Sequence, residues 1–235
     1  MSGKIIFITG TDTGVGKTVI TGCLARFLAD AGYSVITQKW VQTGSGSGIP
    51  PDIRVHLGMM GRKPSQVREY LPDMAPFSFR YPASPHLAAR LEKRRVDPGR
   101  IIRSCRRLAG KFDFVLAEGA GGLMVPVTGS CTYADLLKKM GIPVIIVAGN
   151  KLGVINHSVL TAEALKSGGI RNLGFVFNNI FTGTPGIILR DNPVIVGKIS
   201  GNRIFGVMNK AAGQRGMLTE FRKTGREILK VLGEL

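Results

Sequence analysis

At 235 residues, with 44% hydrophobic and 20% charged side chains, the chain can build one sizeable α/β core; its composition excludes a disordered chain, a collagen-like fibre and a coiled coil. Three cysteines (Cys23, Cys105, Cys131) without metal-site spacing exclude a disulfide scaffold, and no apolar run is of membrane-spanning length, so a reducing cytoplasm and no membrane partner are expected. The net charge of +17 favours anionic ligands, but the basic residues are spread from Arg62 to Lys223 without a finger, helix-turn-helix or RNA-binding pattern, and a nucleic-acid partner is not expected.

Residues 4–10 (KIIFITG) read as a β-rich strand ending in glycine, followed by a helix over 19–31 with Ile20, Leu24, Phe27, Leu28 and Ala31 on one face and Gly32 closing it. A second strand over 34–39 completes a βαβ unit and so implies a parallel sheet. Residues 42–98 are irregular and proline-rich, with room for short helices over 52–61 and 84–91. A helix over 98–109, a strand over 112–117, a turn over 118–122, a helix over 132–140 and a strand over 143–148 continue the alternation. Residues 154–167 repeat it as a helix, 173–177 and 203–207 as strands, and 217–232 as a terminal helix. Near-continuous apolar strands fit a sheet covered on both faces. The expected fold is one domain over 1–235, doubly wound, with a mainly parallel sheet flanked by helices, of P-loop NTPase type.

The strongest local signal is GTDTGVGKT at 10–18, between the first strand and the first helix. Gly14 and Gly16, with Val15 between them, let the backbone turn its N–H groups toward an anion, and the helix end adds a favourable dipole. Lys17 reaches terminal phosphates and the Thr18 hydroxyl suits Mg²⁺, so ATP and Mg²⁺ are the expected cofactors. The strict P-loop spacing puts glycine at position 11, where this chain has Thr11. Glu118 follows an apolar strand, where a carboxylate can hold Mg²⁺ opposite the phosphate loop or simply serve a structural turn. Gly121 and Gly122 then allow close backbone approach to a substrate. Asp52 is a second acidic candidate in a Gly/Pro-rich loop, with solvation or capping as the alternative. Lys39 ends the second strand, either facing the same crevice to neutralise a carbamate or transferring phosphoryl group, or lying on the surface. Lys151 has a similar placement after a later strand.

Taken together, GTDTGVGKT (10–18), QKWVQTG (38–44), SPH (84–86), EGAGG (118–122), KLGVINH (151–157) and FNN (177–179) resemble dethiobiotin synthetase over about residues 4–179. The resemblance implies a P-loop-type homodimer that uses ATP, Mg²⁺ and carbon dioxide to close the ureido ring of 7,8-diaminononanoate. It implies phosphate contacts from Lys17 and Thr18, Thr13 near the transferring phosphate, and Lys39 on the carbamate. Thr43 would lie near the substrate, Asp52 and Glu118 on Mg²⁺, Lys151 and Asn156 near the substrate and dimer interface, and Asn178 on adenine. For Asn156, simple capping of the helix is the competing reading. Where the family carries a proline-containing loop beside adenine, this chain reads Gly-Val-Met-Asn at 206–209. A competing function is a P-loop partitioning or regulatory ATPase with a basic, polyanion-binding surface.

Overall fold

Residues 3–234 are described by a computed structural model. The first strand, β1 (Lys4–Gly10), leads through the glycine-rich loop into α1 (Lys17–Asp30) and then β2 (Val35–Lys39). The irregular stretch holds β3 (Val41–Gln42), α2 (Pro51–Met60), a 3-10 segment (Pro64–Tyr70), α3 (Leu71–Met74), β4 (Phe77–Ser78) and α4 (Pro85–Leu91). Next come α5 (Pro98–Ala109), β5 (Phe114–Gly122), the short pair β6 (Pro126–Thr128) and β7 (Cys131–Thr132), α6 (Tyr133–Met140) and β8 (Val144–Gly149). The chain closes with α7 (Val154–Ser167), β9 (Asn172–Asn179), α8 (Gly186–Ser200), β10 (Ile204–Asn209) and α9 (Gly213–Gly233).

Six of these strands pair in parallel in the order β10-β9-β8-β1-β5-β2. From β1 the chain first steps out to β2, returns to insert β5, and then builds outward on the other side through β8, β9 and β10. The order therefore reverses beside β1, and the carboxyl ends of β1, β2 and β5 open on the resulting crevice. Alternation of side chains across the sheet explains the unbroken apolar runs. Ile6 and Ile8 pack with Leu24, Phe221 and Ile228 of α1 and α9, whereas Phe7 packs on the other face with Trp40, Tyr133, Ile101 and Leu137. Among the described residues no helix is long and apolar enough to cross a membrane.

Local chemistry sets the helix ends where the sequence predicts them. Asp97 caps α5 by accepting from Gly99 N and Arg100 N, and Thr132 with Asp135 forms a capping box on α6. Two expectations need correction. Helix α1 begins at Lys17 rather than at 19, because Gly16 adopts the left-handed conformation (φ 93°) directly before it. Residues 118–122 form no turn: β5 runs through them, pairing Glu118 with Ile8 and Gly122 with Gly10 across an irregularity. Helix α8 carries Pro193 in its interior. Proline cannot donate to the carbonyl four residues back, and that Leu189 carbonyl instead accepts from Asn150 Nδ2 at 2.9 Å. Asn192 Nδ2 donates in turn to Asn150 Oδ1 at 2.8 Å, tying the broken turn to the end of β8.

Candidate active site

The crevice at the carboxyl ends of β1, β2 and β5 is a cavity of about 620 Å³. Thr13, Gly14, Gly16, Lys17, Thr18, Lys39, Thr43, Asp52, Glu118 and Gly121 all line it. Its charged centre follows from strand register. Lys39, at the end of β2, and Glu118, within β5, are direct partners on neighbouring parallel strands, so their side chains leave the sheet on the same face. Lys39 Nζ lies 2.6 Å from Glu118 Oε1 and 2.6 Å from Asp52 Oδ2, and donates to the Gly119 carbonyl at 3.0 Å. Thr18, in the first turn of α1, donates to the same Glu118 Oε1 at 3.0 Å. Asp52 arrives on the first turn of α2, where its backbone N–H donates to Gln42 Oε1 at 3.3 Å. The Ala120 N–H donates to the buried Tyr133 hydroxyl at 3.1 Å, which steadies the end of β5.

Burial opposes ionisation of both central partners, and their pairing overrides it. The Lys39 ammonium, helped by a hydrogen bond from His56, holds the Glu118 carboxyl down at about 2, while Glu118 and Asp52 raise Lys39 above the ordinary lysine value. Lys17 moves the other way: burial and then the nearby Lys39 charge lower it to about 8, although its Nζ donates to the Asp12 carbonyl at 2.9 Å. A depressed carboxyl contributes stability that is complete above the unfolded value of 4.5 and disappears as pH falls from there toward 2. In urea unfolding between pH 7 and 3, the stability gap between wild type and Glu118→Gln is therefore expected to stay level down to about pH 4.5 and to narrow below it; a gap of constant size would contradict the assignment.

The remaining expected site residues are dispersed. Val15 packs in the core beneath the loop, and its carbonyl accepts from Asn178 Nδ2 at 3.0 Å. Asn178 is thus buried against the phosphate loop rather than open to the cleft, and its amide crowds the position a side chain at Gly16 would take. Gly122 lines a separate groove with Met124, His157 and Leu160. Lys151 places Nζ 4.6 Å from the centre of the Phe181 ring. Asn156 is exposed in the first turn of α7 and does not cap it, since Gly153 takes that place at φ 90°. At 206–209 the proline-free segment forms β10, whose Asn209 accepts from Asn179 Nδ2 and donates through Nδ2 to Glu220 Oε1.

Sequence reasoning missed His56. It is fully buried in α2, and its Nε2 lies 2.9 Å from Glu118 Oε2. The available signal was its spacing of four from Asp52, which puts both on one helix face. For a divalent ion, the donor set of Thr18, Asp52 and Glu118 is all hard oxygen and fits Mg²⁺. Among the described residues no group of three or more His, Cys, Asp or Glu side chains is arranged as a metal cage.

A parallel sheet reversing beside a Gly-Lys-Thr motif, with a carboxylate of β5 bonded to the threonine that follows the loop, defines a P-loop ATP-binding protein. Residues 4–213 match the family described as an AAA domain. The chain is 42% identical over 195 residues to the ATP-dependent dethiobiotin synthetase BioD of Chlorobaculum tepidum, covering 83% of this chain and 81% of that one. It is 39% identical over 210 residues to ATP-dependent dethiobiotin synthetase BioD 2 of Pasteurella multocida, covering 88% and 97%. The chain belongs to the dethiobiotin synthetase family. Its fold also resembles that of the septum site-determining protein MinD of Pyrococcus horikoshii, solved with Mg-ADP, at a TM-score of 0.59 and 17% identity over 98% of this chain and 95% of that one. At that identity the likeness is one of fold.

Proposed function

We propose that the protein is an ATP-dependent cyclo-ligase that closes the ureido ring of dethiobiotin from 7,8-diaminononanoate and carbon dioxide. The observation that carries this reading is that the phosphate loop shares one cleft with Lys39, Thr43 and Gly121. One substrate amine attacks carbon dioxide and loses a proton, giving a carbamate. A carbamate oxygen then attacks the ATP γ-phosphorus, the bond to the ADP oxygen breaks, and a carbamic-phosphoric anhydride forms. The second amine attacks the carbonyl carbon, phosphate leaves with the electron pair, and loss of a proton completes the cyclic urea. Lys17 stabilises charge growing on the phosphates, Lys39 the carbamate, and Thr13 and Thr43 supply hydroxyl groups to the phosphoryl and substrate sides. Thr18, Asp52 and Glu118 would hold Mg²⁺, which when bound would supply charge neutralisation for the phosphates.

The enzyme acts as a homodimer in this reading. Leu152, Leu160 and Met124 are 81%, 60% and 60% exposed, and the last two border the groove beside Gly122 and the α7 segment bearing Asn156. A partner covering that side would bury them and bring Lys151 and Asn156 toward the substrate's carboxylate end.

The test is a complete assay of the purified protein. ADP and phosphate are expected to appear only when diamine and inorganic carbon are both present, with dethiobiotin formed in equal amount. ATP turnover that ignores the diamine and rises with added DNA would instead support the polyanion-responsive switch.

A further inference from the structure

We propose that His56 is a positioning residue for the divalent-metal site, holding the outer oxygen of Glu118 so that the inner one faces Thr18 and the phosphates. The proposal rests on the reading of Glu118 as a metal-binding carboxylate. Both oxygens of Glu118 are used, and by different partners: Oε1 accepts from Lys39 and Thr18, and Oε2 meets His56 Nε2 at 2.9 Å. A carboxylate with only Oε1 held can rotate about its last torsion; one held at both oxygens cannot without breaking a bond.

His56 has little other reason to be where it is. The ring is fully buried, and among the described residues its Nδ1 has no hydrogen-bond partner and the contact to Glu118 is the one hydrogen bond this imidazole makes. It sits between Ile53, Leu57 and Met60 on a helix that crosses α1 closely, where leucine would pack without desolvating a polar ring. The close crossing is itself a sequence feature: a Cβ at Gly22 would lie 2.9 Å from Met59 Cβ and 3.5 Å from His56 Cα. Glycine at position 22 lets α2 approach near enough for a histidine one turn beyond Asp52 to reach the end of β5.

The experiment measures metal binding without turnover. Mn²⁺ is titrated, by electron paramagnetic resonance, into wild type and variants holding a non-hydrolysable ATP analogue and no diamine. His56→Leu removes the donor and is expected to weaken Mn²⁺ about 10- to 100-fold. His56→Gln, whose amide nitrogen falls near the place of Nε2, is expected to stay close to wild type. His56→Asn keeps polarity but cannot reach Glu118, and is expected to behave like leucine; it serves in its place if the leucine variant does not fold. Wild-type Mn²⁺ affinity in the variants lacking the donor, or a glutamine variant as weak as they are, would overturn the proposal. Failure of ring closure leaves this readout untouched, whereas failure of the wild type to bind Mn²⁺ with the nucleotide rejects the metal reading and the proposal together.

Discussion

Replacing Lys39 with methionine is expected to lower turnover about 10²- to 10³-fold, the usual cost of removing one charge-stabilising group from a preorganised site. The same change should destabilise the empty protein. Lys39 is the shared cation of two carboxylates, one of them fully buried, and breaking such a pair from one side costs about 3–5 kcal/mol. The two effects separate on adding Mg²⁺. A divalent ion gathered by Asp52 and Glu118 competes with the Lys39 ammonium in wild type but meets no competitor in Lys39→Met. Mg²⁺ should therefore raise the melting temperature of the variant more than that of wild type. Equal shifts, or a variant as stable as wild type without metal, would show that the ammonium does not hold these carboxylates.

Lys17→Ala should lower the rate by a similar factor, about 10²- to 10³-fold, but have the opposite effect on the empty fold. Burial and the Lys39 charge lower Lys17 to about 8, so between pH 8 and its ordinary value of 10.5 the unfolded chain binds more protons than the folded one. Below that window the lysine is charged in both states, and its charge works against folding throughout. Alanine is thus expected to leave the ligand-free protein as stable as wild type or more so, while abolishing most of the stabilisation that ATP confers. Thermal melts with and without a non-hydrolysable ATP analogue read both quantities. A folded Lys17→Ala protein that turns over like wild type would remove Lys17 from the machinery.

Much of the fold was legible because its signals are local. The strand at 4–10, the helices at 98–109 and 154–167 and the phosphate loop between the first strand and helix all stand where the sequence predicts them. In each case apolar periodicity, a capping aspartate or a glycine turn acts within a few residues. Of the expected site residues, Lys17, Thr18, Lys39, Thr43, Asp52, Glu118 and Gly121 all line one cleft.

What sequence alone determined, then, is which residues carry charge and hydroxyl groups at the ends of strands, and that those strands run parallel. Pairing partners were not decidable from it. Lys39 and Glu118 are 79 positions apart, and only insertion of β5 between β1 and β2 makes them register neighbours. Asn178 turns from the cleft to the phosphate loop because β9 runs past Val15, a contact across 163 positions. Helix α8 contradicts its own Pro193, and forms because Asn150, brought in by β8, takes the carbonyl that proline leaves free. His56 reads locally as one more residue of an apolar helix face, until the α1–α2 crossing at Gly22 delivers it to Glu118. Hydrogen bonds and ion pairs act over about 3 Å, and closeness in space is a property of the packed sheet rather than of any window of sequence.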